Sequence, residues 1–255
     1  MSFGLVLLAL STIAFAMRVS PMIIEMTSTG TESSARLEVQ NLNQTRLAYD
    51  VRVYRITYDE QGGVTETPAD EDFLIFPPQG AIPPGGRQVM RLQWVGEPNL
   101  RASQSYYVAV NQLPVQLDPG ATPEDVSGQL QIVYTMKALV VVAPPGATPM
   151  VEAAAARPID YRPPAPEGVP PPPTVPGVEI TLRNTGNRHA MMAGLRWVID
   201  GTSESGEPLQ QIFTPEELNR LIGVGYLAPL DGTRTFRLPV ETAFGSGPIR
   251  VRFAR

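Results

Sequence analysis

The stretch GQLQIVYTMKALVVVAPPG, residues 128–146, changes its pattern half-way along. Its first half places a large apolar side chain at every second position, at Leu130, Ile132, Tyr134 and Met136. This period is typical of a β-strand that buries one face. Its second half, ALVVV at 138–142, is apolar throughout, and Lys137 stands between the two halves. The stretch therefore predicts a β-strand, and with it a β-rich fold, but does not explain its charge.

The residues before this stretch carry further strand patterns separated by turns. Turn sequences occur at DEQGG, 59–63, and at PPGG, 83–86. The candidate strands are MIIEM (22–26), SARLEVQNL (34–42), AYDVRVYRITY (48–58), DFLIFP (72–77), RQVMRLQWV (87–95) and SYYVAVNQLP (105–114). About seven short strands at this spacing predict a β-sandwich of the immunoglobulin type. We expect this domain to span residues 17–143.

A proline-rich segment follows, with twelve of the chain's 27 prolines between residues 144 and 176. Proline has no backbone N–H, so the segment is expected to be an extended linker and not part of a sheet. Strand patterns resume after it, and TPEELNRLI at 214–222 predicts a short helix capped by Thr214. The fold expected is all-β: two immunoglobulin-like sandwiches, the second at 177–255, joined by a proline-rich linker.

Residues 3–16, FGLVLLALSTIAFA, are uncharged and end in the small-x-small form that signal peptidases cut. About 20 apolar residues are needed to cross a bilayer, so a cleaved signal peptide at 1–16 is favoured over an anchor. The sequence thus predicts export.

Composition limits the function. The net charge of -5 argues against nucleic-acid binding, which needs a basic face. There is no cysteine, and the only histidine, His189, lies in a predicted exposed turn, so neither a thiolate nor a histidine-rich metal site is expected. No phosphate-binding glycine loop is present. We expect no catalytic residues, no cofactor and no small-molecule substrate.

The order of these segments resembles the periplasmic pilus-assembly chaperones of the PapD-like superfamily, most closely the branch that serves archaic, spore-coat-U-like pili. The most specific pieces are IPPGGRQVMRL at 82–92 and YYVAVNQLP at 106–114. The resemblance covers about residues 18–145 well. Weaker similarity continues in NTGNRHA at 184–190 and GYLAPLDGTRTFRL at 225–238.

This resemblance implies a two-domain chaperone that is not an enzyme. Family members bind pilin subunits whose own immunoglobulin-like fold lacks a strand, and lend them the last strand of the first domain. An outer-membrane usher then exchanges that strand for one from the next subunit. Here the lent strand would be about 128–142, with the row Leu130, Ile132, Tyr134 and Met136 filling the subunit, and ALVVV would stay buried in the chaperone.

The resemblance also implies an anchor for the subunit's terminal carboxylate, formed by Lys137 with Arg91 as a second cation. The arginine that many members carry in the first strand is missing, and Ile23 or a neighbour stands there. Ser103 and Ala143 occupy the positions of a salt bridge that joins the domains in the pilus branch. The angle between the domains is therefore not explained by the sequence.

Two other functions remain open from the residues alone. A secreted two-domain surface protein could recognise a ligand, or serve structurally, with the same sandwich domains. A hydrolase would have to use His189 as its base.

Overall fold

The computed structural model describes residues 17–114 and 133–254. The first ten strands run from β1 to β10: Met17–Ser20, Ile23–Thr27, Ser34–Asn41, Leu47–Tyr58, Val64–Pro68, Phe73–Phe76, Gln79–Ile82, Arg87–Trp94, Gln104–Leu113 and Thr135–Ala143. The next eight run from β11 to β18: Val151–Tyr161, Val175–Asn184, Ala190–Met191, Arg196–Thr202, Pro208–Phe213, Tyr226–Leu227, Gly232–Pro239 and Arg250–Ala254. One α-helix, α1 (Pro215–Ile222), is present among the described residues. The expected all-β fold is confirmed; the predicted signal peptide lies outside the described residues.

The first ten strands form a sandwich of two sheets. One sheet has the order β1-β3-β8-β6, and the other has the order β2-β10-β9-β4-β5, with β7 also paired to β4. Alternate side chains of both sheets meet in one core that includes Leu37, Val53, Leu92 and Tyr106. This is the first of the two predicted sandwiches.

β10 pairs differently along its two edges. On one side it is antiparallel to β9 from Thr135, opposite Asn111, to Val142, opposite Gln104. On the other side it is parallel to β2, but only from Leu139 onward. Within residues 17–114 and 133–254, the segment 135–138 therefore has a strand partner on one edge only.

The second sandwich is built from β11-β12-β17, from β15-β14-β18 and from the small pair β13-β16. Its core surrounds the buried indole of Trp197. The predicted helix is confirmed: the Thr214 side chain accepts from the backbone of Glu217, the Glu217 side chain caps Thr214 in return, and Pro215 opens the helix.

The predicted linker is corrected by the second sandwich. Residues 151–161, within the expected linker 144–176, form β11 and pair with β12. Only 144–150 connect the two sandwiches. The sequence predicted no sheet for this segment because proline lacks an N–H group. That prediction is wrong for β11 because β11 is an edge strand, where Pro158 does not interrupt hydrogen bonds between central strands.

Candidate functional site

The uniform run at 138–142 is buried on both faces of β10. Ala138, Val140 and Val142 point into the core of the first sandwich. Leu139 and Val141 point the other way and form a second cluster with Ile56 and with Tyr226, which belongs to the second sandwich. Because each face has an apolar cover, the strand needs no polar positions here. The sequence predicted that residues 138–142 are buried in the first sandwich. The structure shows that this sandwich buries one face of the run, and that the second sandwich helps to bury the other.

The described members of the alternating row, Met136 and Tyr134, become more exposed towards the start of β10. Met136, on the same face as Ala138, is half-buried and still packs against the first core. Tyr134, two residues earlier, is 38% exposed. Leu130 and Ile132 lie outside the described residues. The described part of the row thus runs from the protein's own core into solvent.

The backbone of residues 135–138 pairs with β9 on one side and has no described strand on the other. The N–H of Leu139 donates to the carbonyl of Met22 at 2.9 Å, which is where the pairing with β2 begins. Before that point, residues 135–138 have no described strand on this side. Unpaired N–H and C=O groups on a strand edge can pair with another chain. An open backbone edge and an exposed apolar side chain therefore occur together at the start of β10.

Lys137 lies on the outer face of its sheet and is already bound to a carboxylate. Its Nζ is 2.7 Å from Oε1 and 2.7 Å from Oε2 of Glu66, on β5. The rings of Tyr54 and Tyr107 lie beneath the ammonium, with centroids at 5.8 and 5.6 Å. Aromatic faces attract a cation. The family resemblance implied that Lys137 binds the subunit's terminal carboxylate, and nothing in the sequence pointed to Glu66.

Arg91 does not lie near Lys137. Its neighbours Met90 and Leu92 are fully buried, so Arg91 projects from the outer face of the other sheet and donates to Gln93 Oε1 at 3.3 Å. The core of the sandwich separates the two cations, because β8 and β10 belong to opposite sheets. The expected pairing of Lys137 with Arg91 on one carboxylate is therefore not formed.

Arg52 shares the face of Lys137 instead. Lys137 is opposite Ala109 on β9, and Ala109 is opposite Arg52 on β4, so the three form one row across the sheet. The Arg52 guanidinium lies 3.5 Å from Asp50 and 3.9 Å from Asp70. The alternation of β4 placed Arg52 outside the core, but only the pairing of the strands shows that it lies on the same face as Lys137, two strands away.

Residues 17–148, more than half of the chain, match the family model described as pili and flagellar-assembly chaperone, PapD N-terminal domain. The chain belongs to this family. It is thus a member of a chaperone family and not of an enzyme family, and the sequence resemblance to PapD-like chaperones is confirmed.

Solved chaperone structures share the fold over 92% to 95% of this chain. The class 5 fimbriae chaperone CfaA matches with a TM-score of 0.54 at 13% identity, covering 92% of this chain and 98% of CfaA. The Salmonella enterica chaperone SafB, solved with the pilin SafA, matches with a TM-score of 0.50 at 14% identity, covering 95% and 98%. The E. coli chaperone DraB matches with a TM-score of 0.50 at 14% identity, covering 94% and 96%.

The comparisons leave the branch within the PapD-like family open. The chaperone CsuC of archaic Csu pili from Acinetobacter baumannii, solved with the tip subunit CsuE, is also similar, at 11% identity and a TM-score of 0.48, covering 88% of this chain and 90% of that one. That likeness is too low to assign a branch, so closeness to the archaic branch stays a prediction. A search of curated protein sequences found no significant match.

In this PapD-like chaperone the two domains meet through polar contacts that the sequence did not reveal. Glu25 on β2 accepts a hydrogen bond from the Arg188 guanidinium and lies 3.4 Å from Nε2 of His189. The hydrogen bond from His189 and the charge of Arg188 outweigh desolvation and hold the pKa of Glu25 at about 2. The predicted exposure of His189 is wrong: the residue is 3% exposed and its ring stacks on Tyr226.

A second group of contacts joins the β4-β5 turn to the second domain. The carbonyl of Glu60 accepts from the Thr235 N–H, and its carboxylate accepts from the Thr233 hydroxyl, each at 2.9 Å. The guanidinium of Arg234 lies over the ring of Tyr58, 5.9 Å from its centroid. The hairpin that carries Glu66 therefore also holds the second domain in place.

The described residues contain no group of three or more His, Asp or Glu side chains arranged to hold a metal ion. Nor do they include a helix long and apolar enough to cross a membrane.

Proposed function

We propose that this chain is an exported periplasmic chaperone that captures pilin-like subunits by lending them the strand at residues 130–136, and delivers them to an outer-membrane usher. The observation that carries the proposal is the open backbone edge of residues 135–138 beside the exposed Tyr134. Family membership and the likeness to SafB, which was solved with a pilin, support a pilin-like partner.

The chemistry of strand donation fits this segment. An added strand supplies main-chain hydrogen bonds along its edge and inserts every second side chain into the partner. Full burial of four side chains such as Leu130, Ile132, Tyr134 and Met136 would contribute at most roughly 6 to 12 kcal/mol before association costs are subtracted, and Met136, which already packs partly against the first core, would contribute less than the others. This gross contribution is large enough to hold a subunit that lacks a strand. Residues 138–142 remain fixed in the chaperone, since both of their faces are covered.

Lys137 is the proposed anchor for the subunit's terminal carboxylate. It follows the donor row directly, so it marks where the lent strand enters the chaperone's own fold. Arg52 is the second cation of the proposed anchor, because it lies in the same row across the sheet. Arg91 is left out of it, because it lies on the opposite side of the sandwich.

Co-expression with the pilin-like subunit encoded nearest to this chain's gene tests strand donation. Soluble subunit recovered from the periplasmic fraction should be high with wild type and low with a Leu130→Asn/Ile132→Asn double variant. Val169→Ser is the matched control, since Val169 is an exposed apolar side chain in the loop between β11 and β12. Equal recovery with wild type and the double variant would contradict the proposal. Fractionation adds a second readout, because a surface-attached module would stay with the envelope.

A further inference from the structure

The carboxylate of Glu66 binds Lys137 with the same geometry that a C-terminal carboxylate can adopt. Both of its oxygens are 2.7 Å from Nζ, so the ammonium faces the two oxygens of one carboxylate. A C-terminal carboxylate has the same charge and the same pair of oxygens. Glu66 therefore occupies the place that the proposed function gives to the subunit.

The surroundings of Lys137 suit an exchange of one carboxylate for another. The two tyrosine rings below the ammonium belong to β4 and β9, in the middle of the sheet, and do not depend on Glu66. Glu66 lies on β5, an edge strand that pairs only with β4 and whose five residues are all exposed. Exposed ion pairs add little to stability, so Glu66 can leave without unfolding the sheet.

We propose that Glu66 is an internal competitor of the subunit: it pairs with Lys137 in the unbound chaperone and is displaced by the subunit's terminal carboxylate. The inference rests on the proposed function and adds regulation to the same site. Displacement makes capture depend on the carboxylate together with the strand that precedes it. A chain end that cannot also pair with β10 needs a higher concentration to remove Glu66.

Lys137 offers a direct probe, because it is the only lysine in the chain and ¹³C-labelled lysine gives one side-chain NMR signal. The titrant is the tripeptide N-acetyl-Val-Thr-Val with a free carboxylate, and its C-terminal amide is the reference at matched ionic strength. With Glu66→Gln, the midpoint of the carboxylate titration should fall by about 2- to 5-fold relative to wild type, since the competing charge is gone. The amide should leave the Lys137 signal unmoved in both proteins.

Glu38→Gln is the matched control, because Glu38 pairs with Arg87 at 3.8 Å on the other sheet and its side chain is 31% exposed, against 29% for Glu66. It should titrate like wild type. Equal midpoints for wild type and Glu66→Gln would overturn the inference. So would a Lys137 signal that does not distinguish the carboxylate from the amide.

The co-expression assay separates this inference from the proposed function. If the Leu130/Ile132 variant loses the subunit while Glu66→Gln leaves the titration unchanged, strand donation stands and the competition by Glu66 is rejected. If the strand variant recovers as much soluble subunit as wild type, it is the proposed function that is rejected.

Discussion

The hydroxyl of Ser103 accepts a hydrogen bond of 2.8 Å from the backbone N–H of His189, across the boundary between the two sandwiches. The N–H of Ser103 in turn donates to the carbonyl of Asn187 at 3.0 Å. Both Ser103 and His189 are buried. Neutral hydrogen bonds therefore join the domains at Ser103, the position where the family resemblance implies an acidic residue in the pilus branch.

Ser103→Ala should therefore destabilise the protein. The buried N–H of His189 would lose its acceptor, which costs about 1 to 3 kcal/mol when no water replaces it. Urea unfolding measures the change. Ser205→Ala is the control, because Ser205 is exposed and its hydroxyl pairs with the hydroxyl of nearby Ser203; an equal effect of the two substitutions would contradict the role of Ser103.

The ion pairs of Glu25 should make the domain contact sensitive to acid. The pKa of Glu25 is about 2 in the folded protein, against an ordinary value of 4.5. Its contribution is therefore complete above about pH 4.5 and is lost as the pH falls towards 2. Because the Glu25 side chain is 43% exposed, solvent screening should limit this contribution to about 1 kcal/mol or less.

Glu25→Gln tests that dependence. The difference in unfolding free energy between wild type and Glu25→Gln should be largest near pH 6 and should shrink by pH 3. The groups that face Glu25 are Arg188 and His189 from the second domain. Urea unfolding at the two pH values measures it, and a difference that does not change with pH would contradict the assigned pKa.

Local patterns in the sequence were enough for much of the secondary structure. The alternation of AYDVRVYRITY at 48–58 predicted β4, which the structure places at Leu47–Tyr58, and the capping residues predicted α1. β5 was not predicted because its sequence, VTETP, is exposed at all five positions and has no apolar alternation. Strands without a buried face carry no periodic signal.

Contacts between distant residues account for what the sequence could not predict. His189 looked like an exposed turn residue because Glu25 and Tyr226, which cover it, are far away in the chain. Leu139 and Val141 are buried by the second domain, which the pattern of β10 alone does not indicate. Arg91 and Lys137 each fit a motif, but they lie on different sheets and project from opposite sides of the sandwich. Motif position does not determine which outer face a side chain occupies.

Tyr226 should be a principal residue of the domain contact. Its ring stacks on Tyr58 at 4.4 Å, and its hydroxyl accepts from the Ser105 hydroxyl at 2.7 Å. Tyr226→Phe removes only the hydrogen bond and should cost about 1 kcal/mol. Tyr226→Ala also removes the buried ring and should cost about 3 to 5 kcal/mol. Urea unfolding separates the two; similar values for both variants would show that the ring contributes little.

The position of the cations makes a sharp prediction for subunit capture. Lys137→Ala should lower affinity for the subunit about 10-fold, because a charge-assisted hydrogen bond of about 1.5 to 3 kcal/mol is lost and the wild type's loss of its Glu66 bond offsets part of that value. Arg52→Ala should lower affinity by a smaller factor, since Arg52 lies on β4, two strands away from the lent strand and Lys137. Arg91→Ala removes the same charge from the opposite face of the sandwich and should leave affinity unchanged.

Calorimetric titration of each variant with the purified subunit's C-terminal peptide measures these effects. An Arg91→Ala loss equal to that of Lys137→Ala would mean that the carboxylate binds elsewhere, because no single carboxylate can contact both faces of one sandwich.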